Sequence, residues 1–384
     1  MDASGRDRVQ GRHERRSSAN PGWRPGDRIA VASTDYATDQ AEEATITSVS
    51  GSTVTLSRPL GHEHFGERQT VDGRTVDERA EVALLSRNVK IEGEESSSAD
   101  GFGGQIMVME GGQARVEGAE LTRLGQKATL RRYPIHFHML GSGGESSYLE
   151  GSSLHHTFNR CVTVHGTDRL RVAGNTCYDH LGHGFFLEDG EETKNVLEGN
   201  LGFRTREPAE GDRLLPSDGN PATFWITNPD NAVRDNVAGG SDGLGFWYAL
   251  PEHPTGLSGQ QATAASTWPR RTPLGEFSGN VAHSNGGDGL HVDSGPRADG
   301  TTESAYYEPH VDPANRESAP VEARFDRLAA SKPQPRGVAA RGDHRVDSAV
   351  LADNGIGATF ASDRSVLSRS LVVGESANKG TPYS

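Results

Sequence analysis

The chain has 384 residues, of which 33% are hydrophobic and 48 are glycine, and its mean hydropathy is −0.64. This glycine content argues against a helical bundle, because glycine costs about 1 kcal/mol per helical position relative to alanine. The net charge of −14 argues against nucleic acid or an anionic membrane as a partner, and no apolar run reaches the ~20 residues that a membrane span needs.

Residues 1–22 are predicted to be a disordered tail, because they are basic and polar and contain no hydrophobic stretch. For the same reason we expect no signal peptide in this segment. Residues 23–110 are predicted to form a small β domain. Short β-branched runs at 29–32, 44–49 and 53–56 are separated there by turn residues.

An internal repeat fills residues 111–384 and decides the predicted fold. Each copy has an anchor, a small or polar residue that follows an apolar one, and in most copies a second apolar strand comes some ten residues later. The anchors lie at 119, 152, 175, 200, 236, 280, 349 and 370. Their short spacings of 21–25 residues correspond to about one turn of a parallel β-helix. The surplus residues are expected to leave as loops at 203–222, 249–276 and 294–345.

We therefore predict an all-β protein in which a small β domain precedes a right-handed parallel β-helix that is truncated at its C-terminus. The anchors Asn175, Asn200, Asn236 and Asn280 align, and they are expected to stack at a corner of the coil and to pair with backbone groups there. The two cysteines, Cys161 and Cys177, indicate neither a disulfide framework nor a metal site.

Alternation along the second strand of each copy separates a core face from an outward face. The apolar set must line the core. One outward column reads His136, Thr163, Phe186, Trp225, Trp247, His291, Thr359, and the next begins His138, His165, Glu188. We expect a polar ladder beside an exposed aromatic strip. Such a surface suits a carbohydrate, whose C–H faces stack on rings while its hydroxyls accept and donate hydrogen bonds.

Three interpretations of this ladder remain open. His165 beside Glu188 suits acid–base catalysis, while His138, His165 and Glu188 are also ligand types for a metal ion. A third interpretation is structural, with polar residues that pair with one another on a solvated sheet. Glu188 and Asp189 are the favoured carboxylate pair, because Asp293 lies three coils from Glu188, or ~14 Å away.

Several motifs resemble the cell-migration-inducing and transmembrane cell-surface hyaluronidase family. They occur in order at 23–36, 40–43, 132–138, 154–166, 181–190, 223–231, 353–357 and 373–376. The resemblance implies a β domain leading into a parallel β-helix, a secreted or cell-surface location, hydrolysis of hyaluronan and a requirement for Ca²⁺. The matching polar positions are His136, His138, His155, His156, His165, His183, Glu188, Asp189 and Asp293.

These observations predict a hyaluronidase-like glycoside hydrolase that acts as a monomer on hyaluronan or a related acidic polysaccharide. The catalytic candidates are Glu188 and Asp189 as acid and base or nucleophile, with His165 and His138 setting their protonation. The candidates for substrate binding are His136, Trp225, Trp247, Asp293 and Arg204. The alternatives are a uronate polysaccharide lyase and a non-catalytic glycan-binding or adhesive β-helix.

Overall fold

The computed structural model describes residues 22–380, so nearly all of the expected tail lies outside the described residues. The small domain is an antiparallel sheet with the strand order Thr53–Leu56, Glu42–Ser50, Arg28–Val31, Val82–Leu84. Arg68–Val71 and Arg74–Asp77 pair in a separate two-stranded hairpin. Its core comprises Ile29, Val31, Ile46 and Val82, all of which are buried.

The main domain is a parallel β-helix, as the repeat predicted. Residues 22–380 contain nine coils of three strands plus one further strand, and the strands stack into three parallel sheets. Sheet 1 consists of Val89–Glu92, Ala119–Thr122, Ser153–His155, Thr176–Leu181, Leu201–Arg206, Val237–Ser241, Val281–His283, Ala329–Ser331, Val350–Ala352 and Leu371–Val373.

The other two sheets complete each coil. Sheet 2 consists of Ile106–Val108, Ile135–Gly141, Val162–Thr167, Phe185–Leu187, Ala222–Ile226, Leu244–Tyr248, Leu290–Val292, Arg336–Ala340 and Ile356–Phe360. Sheet 3 consists of Arg115–Glu117, Tyr148–Glu150, Arg171–Ala173, Val196–Glu198, Ala232–Arg234, Glu276–Ser278, Ala323–Asp326, His344–Asp347 and Val366–Ser368.

The remaining elements are short and lie in the connections. A two-stranded ribbon pairs Gly295–Pro296 with Thr302–Glu303, and the one α-helix within residues 22–380 is Ser97–Asp100. The 3₁₀ turns are Ser142–Ser146, Glu210–Asp212, Pro216–Gly219, Ser258–Gln260, Ala264–Ser266 and Pro269–Arg271. Within 22–380, none of the helices has the length and apolarity to pass through a bilayer.

Two predicted boundaries are corrected by the strand pairing. Val89–Glu92 pairs with Ala119–Thr122, so the first coil begins inside the segment that the sequence assigned to the small domain. The expected loop at 294–345 contains a complete further coil, since Ala329–Ser331 continues sheet 1 and Arg336–Ala340 continues sheet 2. The repeat missed this coil because its corner residue is Leu328, which is neither small nor polar.

The cysteine prediction was also wrong. Cys161 and Cys177 form a disulfide with their Cα atoms 6.1 Å apart. The two residues are separated by 16 positions in the chain. Cys161 directly precedes the sheet 2 strand Val162–Thr167, and Cys177 lies in the sheet 1 strand of the next coil, Thr176–Leu181. Spacing alone could not reveal this, because the contact depends on how the coil closes.

The core face of sheet 2 is the one that alternation predicted. Phe137, Val164, Leu187, Phe224 and Phe246 are all at most 1% exposed and belong to one continuous apolar core. The rings of successive coils stack on one another, with the centroids of Phe185 and Phe224 4.6 Å apart. Confirmation of the core face fixes the opposite residues of each strand as outward-facing.

Candidate functional site

The candidate site lies on the outward side of sheet 2, where three consecutive coils meet. His136 and His138 lie two positions apart on the strand Ile135–Gly141, so both side chains face the same side of sheet 2. His138 pairs in register with His165 on the next strand. Glu188 continues the third strand, since its N–H donates to the Val164 carbonyl. Parallel stacking therefore brings together residues that are far apart in sequence.

His165 is the centre of the cluster. Its Nε2 lies 3.0 Å from Asp189 Oδ2, and its Nδ1 lies 3.4 Å from Glu188 Oε2. The Nδ1 of His138 is 3.1 Å from the Nδ1 of His165. Glu188 and Asp189 thus contact the two different nitrogens of one imidazole, and the four sequence-predicted catalytic candidates share one site.

Asp189 is held more tightly than a free catalytic carboxylate. Besides His165, its Oδ2 accepts a hydrogen bond from the N–H of Ser258, and the residue is 3% exposed. Buried in this way, Asp189 cannot reach a sugar, so its expected role as base or nucleophile does not fit the structure. The geometry suits Asp189 to orient His165.

His136 was expected to face a substrate, but it is completely buried. Its ring stacks on that of His165 with the centroids 5.8 Å apart and lies edge-on to His138. Neither of its ring nitrogens has a hydrogen-bond partner. His136 therefore belongs to the floor of the cluster and not to the surface that meets substrate.

The electrostatics follow from this burial. Burial works against a charged His165, but Asp189 and Glu188 outweigh it and raise the pKa of His165 to about 9. Burial would raise the pKa of Asp189, yet its hydrogen bond with His165 lowers it overall. Burial also raises the pKa of Glu188, with partial compensation by His165. The imidazoles differ, since burial and the neighbouring His165 lower the pKa of His136 to about 3.

Glu192 is a residue that the sequence analysis did not identify. It is completely buried and accepts hydrogen bonds from the N–H groups of Gly166 and Gly190, at 2.8 and 2.9 Å. Burial, reinforced by Asp189, raises its pKa to about 8. Its position four residues after Glu188, in an acidic turn, could have suggested that Glu192 lies near the site. Nothing in the sequence shows that this turn folds inward.

A pocket of about 470 Å³ opens on this cluster. Its wall includes His165, Glu188 and Arg131, and the segment 254–260 forms the opposite side. The long connection at 249–276 therefore walls the pocket. Arg131 is exposed at the rim, where its guanidinium is suited to a carboxylate.

The expected aromatic platform is wrong. Trp225 and Trp247 point away from the helix core as predicted, but they are only 1% and 4% exposed. They pack with Phe186 and with Leu215, which comes from the connection after sheet 1. Because the connecting segments cover these rings, no sugar can stack on them in this conformation.

Two further substrate-binding candidates have structural partners. Asp293 pairs with Arg341 at 2.8 Å and accepts hydrogen bonds from two backbone N–H groups of its own loop. Arg204 lies on sheet 1, where it donates to the Asp39 carbonyl of the small domain. Neither side chain lines the pocket beside Glu188.

Four other histidines, at 155, 156, 180 and 183, lie outside the pocket. His155 pairs with Glu120 within sheet 1, and His156 pairs with Glu43 of the small domain. His183 is hydrogen-bonded to Ser217, whereas His180 is buried without a partner for either nitrogen.

The match to known proteins agrees with this architecture. Residues 101–290 match the family model described as CEMIP beta-helix. The chain contains a CEMIP beta-helix. The resemblance drawn from the motifs is thereby confirmed, and the matched residues of the CEMIP beta-helix include His136, His138, His165 and Glu188.

Relatives extend the likeness over most of the chain. It is 39% identical to "Cell surface hyaluronidase CEMIP2" of Homo sapiens over 93% of its length, which is 30% of that protein. It is 36% identical to "Cell migration-inducing and hyaluronan-binding protein" of Mus musculus over 94% of its length, again 30% of that protein. The chain thus spans less than a third of the length of these relatives.

A more distant likeness concerns solved structures. The catalytic domain of a GH87 α-1,3-glucanase in complex with nigerose aligns with a TM-score of 0.30 and 10% identity, over 73% of this chain and 58% of that one. A likeness this weak carries no argument about the site.

Proposed function

We propose that the protein is a glycan-cleaving enzyme, a hyaluronidase-like glycoside hydrolase that acts on hyaluronan or a related acidic polysaccharide at a secreted or cell-surface location. The observation that carries the proposal is the placement of Glu188. Its carboxylate lines the pocket and contacts the His165 that Asp189 orients. The names of the relatives support the substrate class.

Each residue of the pocket then has a distinct role. Glu188 is the catalytic carboxylate, because a pocket-facing acid within reach of a glycosidic oxygen is what bond cleavage requires. His165 contacts Glu188 and orients its carboxylate, and Asp189 orients His165. Arg131 at the rim is placed to bind the carboxylate of a uronate, and its fork geometry suits that group.

The test is depolymerisation of hyaluronan, followed by sizing of the products. Substitution Glu188→Gln keeps the shape and removes the acid, so we expect turnover to fall about 10²–10⁴-fold. Glu145→Gln is the matched control, since Glu145 is exposed and away from the pocket, and it should retain full activity. Circular dichroism of both variants checks that the fold is intact.

The other outcomes identify the alternatives. A product whose new end is 4,5-unsaturated, detected by its far-ultraviolet absorbance, would show that the enzyme is a lyase and not a hydrolase. Binding of hyaluronan by the wild type without any turnover would show that the protein is a glycan-binding β-helix and not an enzyme. Full activity of Glu188→Gln would overturn the site.

A further inference from the structure

His136, His138 and His165 form a compact group of imidazoles beneath the pocket. One ring nitrogen from each lies within 4.8 Å of the others, and among residues 22–380 these are the His, Cys, Asp and Glu side chains placed to share one ion. Two are neighbours on the same face of one strand and the third is in register on the next. The sheet therefore holds all three on rigid backbone.

His136 shows that this group is more than a hydrogen-bonded stack. It is completely buried, and neither Nδ1 nor Nε2 has a partner. Native proteins rarely retain such unpaired buried groups without a ligand, water or ion. His180 is also buried and unpaired, but among residues 22–380 only His136 converges with two other imidazoles. Its Nε2 lies on the Glu188 side, 3.9 Å from Oε2.

Asp189 supplies the support that metal-bound histidines usually have. Its carboxylate accepts the Nε2–H of His165 at 3.0 Å, so Nδ1 is the nitrogen of His165 that remains to bind an ion. That atom faces the Nδ1 of His138 at 3.1 Å. A carboxylate that fixes the tautomer of a ligating imidazole is a common outer-shell arrangement in metal sites.

We propose that His136, His138 and His165 bind one divalent transition-metal ion of the Zn²⁺ or Co²⁺ class. Three imidazoles suit such ions. They do not suit Ca²⁺, which takes 6–8 oxygen ligands, so the Ca²⁺ expected from the family resemblance does not fit these residues. This metal site does not depend on which glycan the protein cleaves.

The experiment is a titration of the untagged, chelator-treated chain with Co²⁺, followed by visible absorbance, together with metal analysis of the chain after equilibration with Zn²⁺. We expect one ion per chain. His136→Gln and His138→Gln should each weaken binding at least tenfold, and Asp189→Asn should weaken it about 10–100-fold. His180→Gln is the matched control, because His180 is equally buried and unpartnered, and it should bind as the wild type does.

Three results would overturn the site. They are a wild type that binds neither ion, binding that survives in both His136→Gln and His138→Gln, and displacement of Co²⁺ by equimolar Ca²⁺. Arg131→Ala separates this proposal from the glycan one, since Arg131 lines the pocket rim but is not among the three imidazoles. This variant should weaken hyaluronan cleavage and still bind Co²⁺.

Discussion

Arg160 and Asp218 form an ion pair that is almost completely removed from water. Arg160 is 1% exposed and Asp218 is not exposed, and two contacts at 2.5 and 3.1 Å join the guanidinium to the carboxylate. Asp218 also accepts the N–H groups of Leu214 and Leu215. The pair thus fixes the loop whose Leu215 covers the tryptophan cluster.

Removal of one partner from this pair should be costly. Arg160→Met would leave Asp218 buried without its counter-ion, and we expect the free energy of unfolding to fall by about 3–5 kcal/mol. Arg171→Met is the control, because Arg171 is exposed and its two ion pairs, with Glu150 and Glu198, lie on the surface and should contribute less than about 1 kcal/mol. Urea unfolding of the two variants measures the difference, and equal losses would contradict the prediction.

Individual residues also show where sequence reasoning stopped. The sequence brought His138, His165, Glu188 and Asp189 together, because strand alternation and stacking by one coil are enough to do so. It could not show that Asp189 is buried, since Ser258, which binds it, comes from a connection 69 residues away. Burial depends on covering segments that have no periodicity to reveal them.

At the scale of elements, the corner asparagines form the predicted ladder. The N–H of Asn175 donates to the side chain of Asn200, and the N–H of Asn200 donates to that of Asn236, both at 3.0 Å. Each amide nitrogen donates to a backbone carbonyl of an earlier coil, as Asn200 does to Val172. The ladder therefore satisfies the groups that the bend leaves unpaired.

Asn200→Ala tests this ladder. It removes the acceptor of the Asn175 N–H and the donor to the Val172 carbonyl, and both groups stay buried. We expect stability to fall by about 1–3 kcal/mol, measured by urea unfolding. Asn315→Ala, in an exposed loop, should change it by less than about 0.5 kcal/mol. A loss for Asn200→Ala no larger than that of the control would exclude a stabilising ladder.

The strands were predictable and their connections were not. Stacked coils repeat one hydrophobic pattern, so the core face of sheet 2 could be predicted from alternation alone. Trp225 and Trp247 point outward from the β-helix as expected, yet they are buried because inserted segments pack over them. Those insertions differ in length and sequence between coils, and nothing in the repeat specifies where they pack.

Across the whole molecule, the small domain and the site occupy different faces of the β-helix. Ala30, Ala83 and Leu85 of the small domain pack on Tyr178 and Phe203 of sheet 1. Sheet 2, which carries the site, remains free of this contact. The small domain therefore braces the coils whose neighbouring face holds Glu188 without entering the pocket.

Charged pairs add to this contact and make it sensitive to acid. Glu43 of the small domain lies 2.7 Å from both His156 of the β-helix and Arg28. Burial alone would raise the pKa of Glu43, but these two partners lower it to about 2. Its side chain is 28% exposed, so solvent screening reduces the benefit.

Because the pKa of Glu43 is lower in the folded chain than in the unfolded one, its contribution is complete above about pH 4.5 and is lost as the pH falls towards 2. We expect Glu43→Gln to lower the free energy of unfolding by about 1–2 kcal/mol at pH 6 and by much less at pH 3. Urea unfolding at both values measures this. Glu110→Gln, an exposed control, should differ from the wild type at neither value, and an effect of Glu43→Gln that is equal at pH 6 and pH 3 would show that its charge does not stabilise the contact.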